Sequence, residues 1–218
     1  MSAALIIGAS RGLGLGLARE LASRHWTVTG TVRKPDDRGE LEAAGAAAHL
    51  ADITDPASIK SLAASLPAKL DLLFVNAGIS EPASFDAIDE AGIGHLFMTN
   101  AVAPVRAALG LIEALAPDAT IAFMSSRMGS VALTAAENLA MYRASKAALN
   151  SLTRAMVGRF GDRPVLSFHP GWVVTDMGGT GADIDVATSV KGIADVLEEH
   201  RGKAGSAFVD YSGAELAW

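Results

Sequence analysis

"GASRGLG", Gly8 to Gly14, joins a short apolar run, "AALIIGA" (3–9), to a leucine- and alanine-containing segment that starts near residue 12. An apolar run, a glycine turn and then helix-forming residues predict strand, turn and helix in that order. Gly8 permits a tight turn, Gly12 lets backbone N–H groups approach a pyrophosphate, and Gly14 lets the helix pack close to the sheet. The spacing is Gly-x₃-Gly-x-Gly, which differs from the Gly-x-Gly-x-x-Gly dinucleotide pattern. Taken alone, the stretch is a glycine-rich strand-to-helix turn, with or without a ligand.

The same alternation continues outward. "WTVTGTV" (26–32), "AAHLAD" (47–52), "LDLLFVNAG" (70–78), "ATIAFMSS" (119–126), "PVLSFHPGWV" (164–173) and "GSAFVDY" (205–211) read as further strands. Helical segments fall at about 12–24, 36–44, 55–66, 87–115, 136–160 and 185–200. Most strands are apolar throughout, as in a parallel sheet covered on both faces. The expected fold is therefore α/β and doubly wound, a single parallel sheet of about seven strands with helices on both faces. Thr54 or Asp55 caps the helix that begins near Pro56, and Pro104 is expected to kink the long 87–115 helix. No linker, low-complexity tract or repeat interrupts the chain, so residues 1–218 read as one domain. The closing "FVDYSGAELAW" is expected to pair at the sheet edge and to pack Trp218 against the sheet.

Composition narrows the function classes. Half of the 218 residues are apolar and 19% are charged, which suits a packed globule. There is no cysteine, so disulfides and thiolate metal sites are excluded. His25, His49, His95, His169 and His200 are scattered without ligand spacing, so no metal is expected. A net charge of −6 disfavours sequence-independent binding to nucleic acid or acidic lipid. The N-terminus lacks the basic region of a signal peptide, and no apolar run approaches the roughly 18 residues of a membrane span. The expectation is a soluble, cytoplasmic protein with no nucleic-acid or membrane partner.

"MYRASKAALN" (141–150) carries the chemistry. Tyr142 and Lys146 stand four apart, so they share one helix face. An ammonium beside a phenol stabilises phenolate, and lowering a tyrosine pKa from about 10 to about 7 takes roughly 4 kcal/mol. Such a tyrosine serves as general acid or general base. Ser125 and Ser126 end the fifth strand at the same edge of the sheet. The second strand ends "TVTGTVRK", with no carboxylate near Thr31 or Val32, where NAD-binding folds place one for the ribose hydroxyl. Arg33 and Lys34 follow, either as phosphate ligands or as a solubilising pair for Asp36 and Asp37.

Seven motifs in order resemble the short-chain dehydrogenase/reductases: "GASRGLG" (8–14), "ADITD" (51–55), "VNAG" (75–78), Asn100 in "TNAVAP", "MSSRMGS" (124–130), "YRASK" (142–146) and "HPGWVVTDMGG" (169–179). The wording is most similar to that of small NADPH-dependent carbonyl reductases of the sniffer and C-factor type. This resemblance implies NADP(H) as cofactor and hydride transfer to a small aldehyde or ketone. It makes Asn100, Ser126, Tyr142 and Lys146 catalytic, with Asn100 holding a water that links the lysine to solvent and Ser125 as fallback to Ser126. It places cofactor contacts at Gly8, Ser10, Arg11, Gly12, Leu13, Gly14, Arg33, Asp52, Ile53, Asn76, Ala77, Gly78, Tyr142, Lys146, Pro170, Gly171, Val173, Thr175 and Met177. Arg11 and Arg33 are the implied 2′-phosphate ligands, and Asn76 reads as structural. Ser126, Met128 and Trp172 fall in the substrate pocket, with Met177 beside them. One departure stands out: the loop 127–141 is longer than the family's usual serine-to-tyrosine spacing, and Gly129 and Ser130 fall nearer the usual count. The family also implies a homodimer through two long helices, although some carbonyl reductases are monomers. Two alternatives stay open, a dinucleotide-binding signalling protein without turnover and an NAD-linked alcohol dehydrogenase.

Overall fold

Seven of the apolar runs pair into one sheet, in which every neighbouring pair is parallel. In the computed structural model, which describes residues 2–66, 69–80, 87–134 and 138–218, the strands are β1 (Ala3–Ile7), β2 (Thr27–Val32), β3 (Ala47–Leu50), β4 (Leu70–Val75), β5 (Leu115–Met124), β6 (Pro164–His169) and β7 (Gly205–Asp210). The helices are α1 (Gly12–Ser23), α2 (Arg38–Ala43), α3 (Pro56–Ser65), α4 (Glu90–Phe97), α5 (Ala103–Gly110), α6 (Ala140–Met156) and α7 (Val186–Glu199). Strand order is β3-β2-β1-β4-β5-β6-β7. The chain thus steps outward from β1 on one side and restarts beside it with β4. The reversal between β1 and β4 opens a crevice at the carboxyl ends of the strands, where ligands bind in such sheets.

Strand residues alternate between two apolar layers. Ala4 and Ile6 join Leu17 and Leu21 of α1 and Val190, Ile193 and Leu197 of α7. Leu5 and Ile7 join Ile59 and Leu62 of α3, Val105 of α5 and Leu149 of α6. Both faces are therefore dry, which explains the near-continuous apolar strands. Asp55, rather than Thr54, caps α3: its side chain accepts from the Ala57 N–H at 2.9 Å. Thr54 Oγ1 instead donates to Asp52 Oδ1 at 2.7 Å.

The expected long helix over 87–115 is not continuous. It runs as α4, a π turn over Met98–Val102, α5 and a 3₁₀ turn over Ile112–Ala114, and β5 already begins at Leu115. Pro104 explains the position of the break. It has no N–H to donate to the carbonyl four residues back, that of Asn100, and the ladder widens there. The helix expected over 136–160 is α6 followed by a 3₁₀ turn at Val157–Arg159, and positions 136–137 lie outside the described residues.

β7 takes the edge position, and the chain end turns back along it. The Leu216 N–H donates to the Phe208 carbonyl at 2.8 Å, and Val209 bridges antiparallel to Glu215. The Trp218 ring lies 5.4 Å from that of Phe208, with the Arg154 guanidinium 5.0 Å over it. Among the described residues, no helix is long and apolar enough to cross a membrane.

Two helical glycines differ sharply in surroundings. A Cβ at Gly14 would lie 2.0 Å from the Gly8 carbonyl oxygen, whereas one at Gly94 would meet nothing within 4 Å. Gly14→Ala is expected to destabilise the fold by about 3 kcal/mol, the upper range of overpacking. Gly94→Ala is expected to stabilise it by about 0.5–1 kcal/mol through lost unfolded-state freedom. Urea unfolding of the two variants checks both signs.

Candidate active site

The crevice encloses about 1230 Å³ and runs from the β1–α1 turn and the end of β2 to the loop after β6. Its deep end is two backbone turns docked together. Asn76 Nδ2 donates to the Gly8 carbonyl at 2.7 Å, and the Gly8 N–H donates to Thr31 Oγ1 at 3.0 Å. The Asn76 and Ala77 N–H groups both donate to the Ile7 carbonyl at 2.9 Å. Gly8 has φ +88°, and a Cβ there would lie 2.8 Å from the Ala77 backbone. Gly14 packs behind the Gly8 carbonyl and does not line the crevice, so the cofactor contact expected of it becomes a support for Gly8.

Gly12 (φ +54°) has open space above it, with only Thr175 Cγ2 near, 3.7 Å from where a Cβ would sit. α1 starts there with no side-chain cap and no acidic residue in its first turn. Its free N–H groups and positive dipole end face the crevice beside Ser10, Arg11 and Leu13, which suits a pyrophosphate. Arg33 and Lys34 are exposed and form no ion pair with Asp36 or Asp37. Arg11 does have a partner: its Nη1 lies 2.5 Å from Asp176 Oδ2, linking the glycine turn to the loop after β6. Asp52 and Ile53 line the crevice near Arg33. Asp52 is held below the usual carboxylate range, first by the hydroxyl and N–H of Thr54 and also by the charges of Arg33 and His95.

At the other end, Tyr142, Lys146 and Asn150 stand at four-residue spacing along α6. Lys146 is buried, donates from Nζ to the Met124 carbonyl at 2.9 Å and lies 5.8 Å from the centre of the Tyr142 ring. Burial pulls Lys146 down to about 8. Burial also pushes Tyr142 up to about 12, against the influence of the Ser126 hydroxyl. This reverses the direction expected from the ammonium alone: desolvation outweighs it and favours the neutral phenol.

Ser126 borders the crevice and caps a 3₁₀ turn over Arg127–Gly129, its Oγ accepting from the Met128 N–H at 3.2 Å. Ser125 donates its proton to Asn150 Oδ1 at 2.7 Å in the core, which separates the two serines. Gly129 and Ser130 take structural positions. A Cβ at Gly129 would lie 2.8 Å from the Lys146 backbone, and Ser130 Oγ accepts from the Leu133 N–H at 3.1 Å. Asn100 lies behind the crevice rather than on it. It is fully buried in the π turn, accepting from the Ile79 N–H at 2.8 Å and donating to the Ile79 carbonyl at 2.8 Å and to Ser145 Oγ at 3.0 Å. Gly78 leaves the gap between Asn100 and Lys146, since a Cβ there would lie 3.3 Å from each side chain.

Pro170, Gly171, Val173 and Thr175 line the crevice as expected, with Met128. Trp172 and Met177 are exposed at its rim, and the indole N–H donates to the Gly178 carbonyl at 2.8 Å. Sequence reasoning missed Thr31, Ser145 and Asn150, as well as Arg127, Arg143 and His169 on the crevice wall. Asn150 was findable, because it extends the Tyr142–Lys146 face by one more turn.

Residues 2–183 match the family model described as short chain dehydrogenase. Among characterised relatives, the C-signal protein of Myxococcus xanthus is 36% identical over 160 residues, 68% of this chain and 93% of its own. A Burkholderia multivorans protein described as a short-chain dehydrogenase/reductase with bound NADP superposes with a TM-score of 0.95 at 37% identity, covering 100% of this chain and 99% of that one. A carbonyl reductase from Pseudomonas aeruginosa PAO1 in complex with NADP gives 0.92 at 38% identity, with 100% of both chains covered.

A buried lysine with a lowered pKa opposes folding while it is charged. For Lys146 that cost is fully present below about pH 8 and is relieved as pH rises toward the ordinary 10.5. Relative to Lys146→Met, the wild-type protein is expected to gain stability across that window, approaching about 3 kcal/mol. The raised Tyr142 works against stability once pH passes its ordinary 10.0, so the comparison is read between about pH 7 and 10. Urea unfolding at several pH values reads the difference.

Proposed function

The chain belongs to the short chain dehydrogenase family of oxidoreductases, and on that premise we propose that it reduces an aldehyde or ketone to an alcohol with NADPH. One observation carries this reading. Ser126, after β5, and Tyr142 and Lys146, one turn apart on α6, border the same crevice whose far end is the uncapped glycine turn of α1.

Bound NADPH would supply the hydride. The residues suited to hold it are the β1–α1 turn from Gly8 to Leu13, Asp52 and Ile53, Asn76 to Gly78, Tyr142, Lys146, and the segment Pro170 to Met177. The absence of a carboxylate at the end of β2, the unpaired Arg33 and the NADP carried by two structural relatives favour the 2′-phosphorylated form. Arg33 is the primary phosphate ligand, and Arg11 joins it by exchanging Asp176 for phosphate.

The Ser126 hydroxyl donates to the substrate carbonyl oxygen. Tyr142, protonated at neutral pH, starts as an acid and gives its proton to the same oxygen as alcohol forms. Lys146, still largely cationic at neutral pH, stabilises the phenolate left behind. Ser145 Oγ, bonded to the Tyr142 carbonyl at 2.7 Å and to Asn100, keeps α6 in register with the π turn. Pro104 has no N–H for the Asn100 carbonyl, the acceptor we assign to a relaying water.

The likeness to C-signal favours a second reading, a nucleotide-binding signalling protein without turnover. NADPH oxidation over a panel of aldehydes and ketones separates the two, since binding without oxidation of any carbonyl supports the second. Tyr142→Phe is expected to cut kcat by about 10²–10⁴ while the NADPH affinity changes little. Undiminished turnover in that variant removes the proton-donor role. Arg33→Ala is expected to weaken NADPH binding about tenfold and to spare NADH, the loss of one charge-assisted phosphate contact. An equal effect on both nucleotides returns the NAD-linked alternative.

A further inference from the structure

Building on the carbonyl-reductase reading, we propose that the substrate end of the crevice is a site for a carbonyl compound bearing a carboxylate, held by Arg127 with Arg143. Arg127 directly follows Ser126, lines the crevice and is exposed. Among the described residues its side chain makes no hydrogen bond or ion pair, and its carbonyl accepts from the Ser130 N–H at 3.1 Å. Other arginines of this acidic protein are occupied: Arg24 meets Glu20, Asp195 and Glu198, and Arg11 meets Asp176.

The surroundings are already arranged for an anion. Arg143 follows Tyr142 on α6 and lines the same crevice. Its Nε and Nη2 donate to the backbone and side-chain oxygens of Asn138 at 2.8 and 2.9 Å, which fixes the guanidinium without neutralising it. His169 ends β6 on the crevice wall, and its Nδ1 is buried with no partner. Burial keeps that ring neutral, with the nearby charge of Arg127 adding to the effect and Asp210 opposing it. Nδ1 has no exposed surface, so the ring serves as a neutral polar wall beside the two cations and not as a donor to the ligand.

Among the described residues, the acidic groups do not cancel this field. Asp210 is not on the crevice wall, and its Oδ1 accepts from the Ser212 N–H, the Ser212 hydroxyl and the Ala214 N–H. Asp176 is paired with Arg11, Asp52 lies beyond β3 at the opposite end, and Asp183, which also lines the crevice, is exposed to solvent on the return of the loop after β6. Met128 and the rim residues Trp172 and Met177 offer apolar contact to the substrate body. Guanidinium pairs with carboxylate through two parallel hydrogen bonds, so an acid so placed would be oriented as well as attracted.

The test compares 4-formylbenzoate with methyl 4-formylbenzoate as substrates with NADPH. Wild-type protein is expected to favour the acid in kcat/KM by about tenfold, and Arg127→Gln to erase that ratio, chiefly through KM. Arg127→Lys, which keeps the charge but not the fork, should retain part of it. If Arg127→Gln slows both substrates equally, the residue only positions Ser126 and the carboxylate site is refuted. Reduction of the ester with no preference for the acid refutes the site and leaves the reductase reading standing. A second readout needs no turnover: calorimetry of benzoate, against benzamide, on the NADP⁺-loaded protein. Benzoate binding that weakens about tenfold in Arg127→Gln supports the site even if neither aldehyde is reduced, in which case the reductase reading falls alone. No benzoate binding to the wild-type complex overturns the site.

Discussion

The architecture hangs on the close docking of two backbone turns, those that leave β1 and β4. The Gly8 carbonyl accepts from Asn76, the Ile7 carbonyl takes two N–H groups from Asn76 and Ala77, and Gly14 brings the first turn of α1 against Gly8. None of these contacts tolerates a Cβ on Gly8 or Gly14. Because the turns satisfy each other's polar groups, the start of α1 is left without a cap and free to meet an anion. The crevice is thus a by-product of how the sheet reverses direction, and the side chains that border it are added to a ready-made frame.

The chemical end of the crevice works against solvation. Lys146 is driven through the protein to the Met124 carbonyl, with Gly129 and Gly78 left bare to admit its backbone and its amine. Its charge is therefore costly, and so is a charge on Tyr142, whose neutral form is favoured until a ligand changes the balance. Under the proposed reduction this suits the resting site, since the phenol would begin with the proton to be delivered. Asn100, Ser145 and Asn150 touch the site from behind: they fix the π turn, α6 and the end of β5 relative to one another.

Much of this was legible from the chain. The parallel sheet followed from unbroken apolar strands, and the crevice from glycines and small polar residues at strand ends. The Tyr142–Lys146 pairing on one helix face followed from spacing. What could not be read were quantities set by burial from elsewhere. Helical periodicity gave no measure of how far Tyr142 and Lys146 would be desolvated, so the expected direction for the phenol was reversed. The 87–115 segment read as one kinked helix because Pro104 marks a missing donor without saying how the preceding turn re-forms. The turn alone marks Gly14 as a packing glycine, and only the resemblance makes it a ligand contact; its place behind the Gly8 carbonyl fits the packing reading. Arg127, Arg143 and His169 sit inside the quoted motifs, but neither spacing nor resemblance gave them a role, and only the fold brings them to one wall.

The folded-back chain end has one more effect. Residues 214–216 occupy the outer hydrogen-bonding edge of β7, and Trp218 is pinned between Phe208 and Arg154. A second molecule adding a strand at this side, as exposed edges invite, would have to displace that segment from the Phe208–Asp210 half of the edge or pair with Gly205–Ala207 alone. Backbone pairing between molecules at this margin is therefore held to half a strand while Trp218 stays against Phe208 and Arg154.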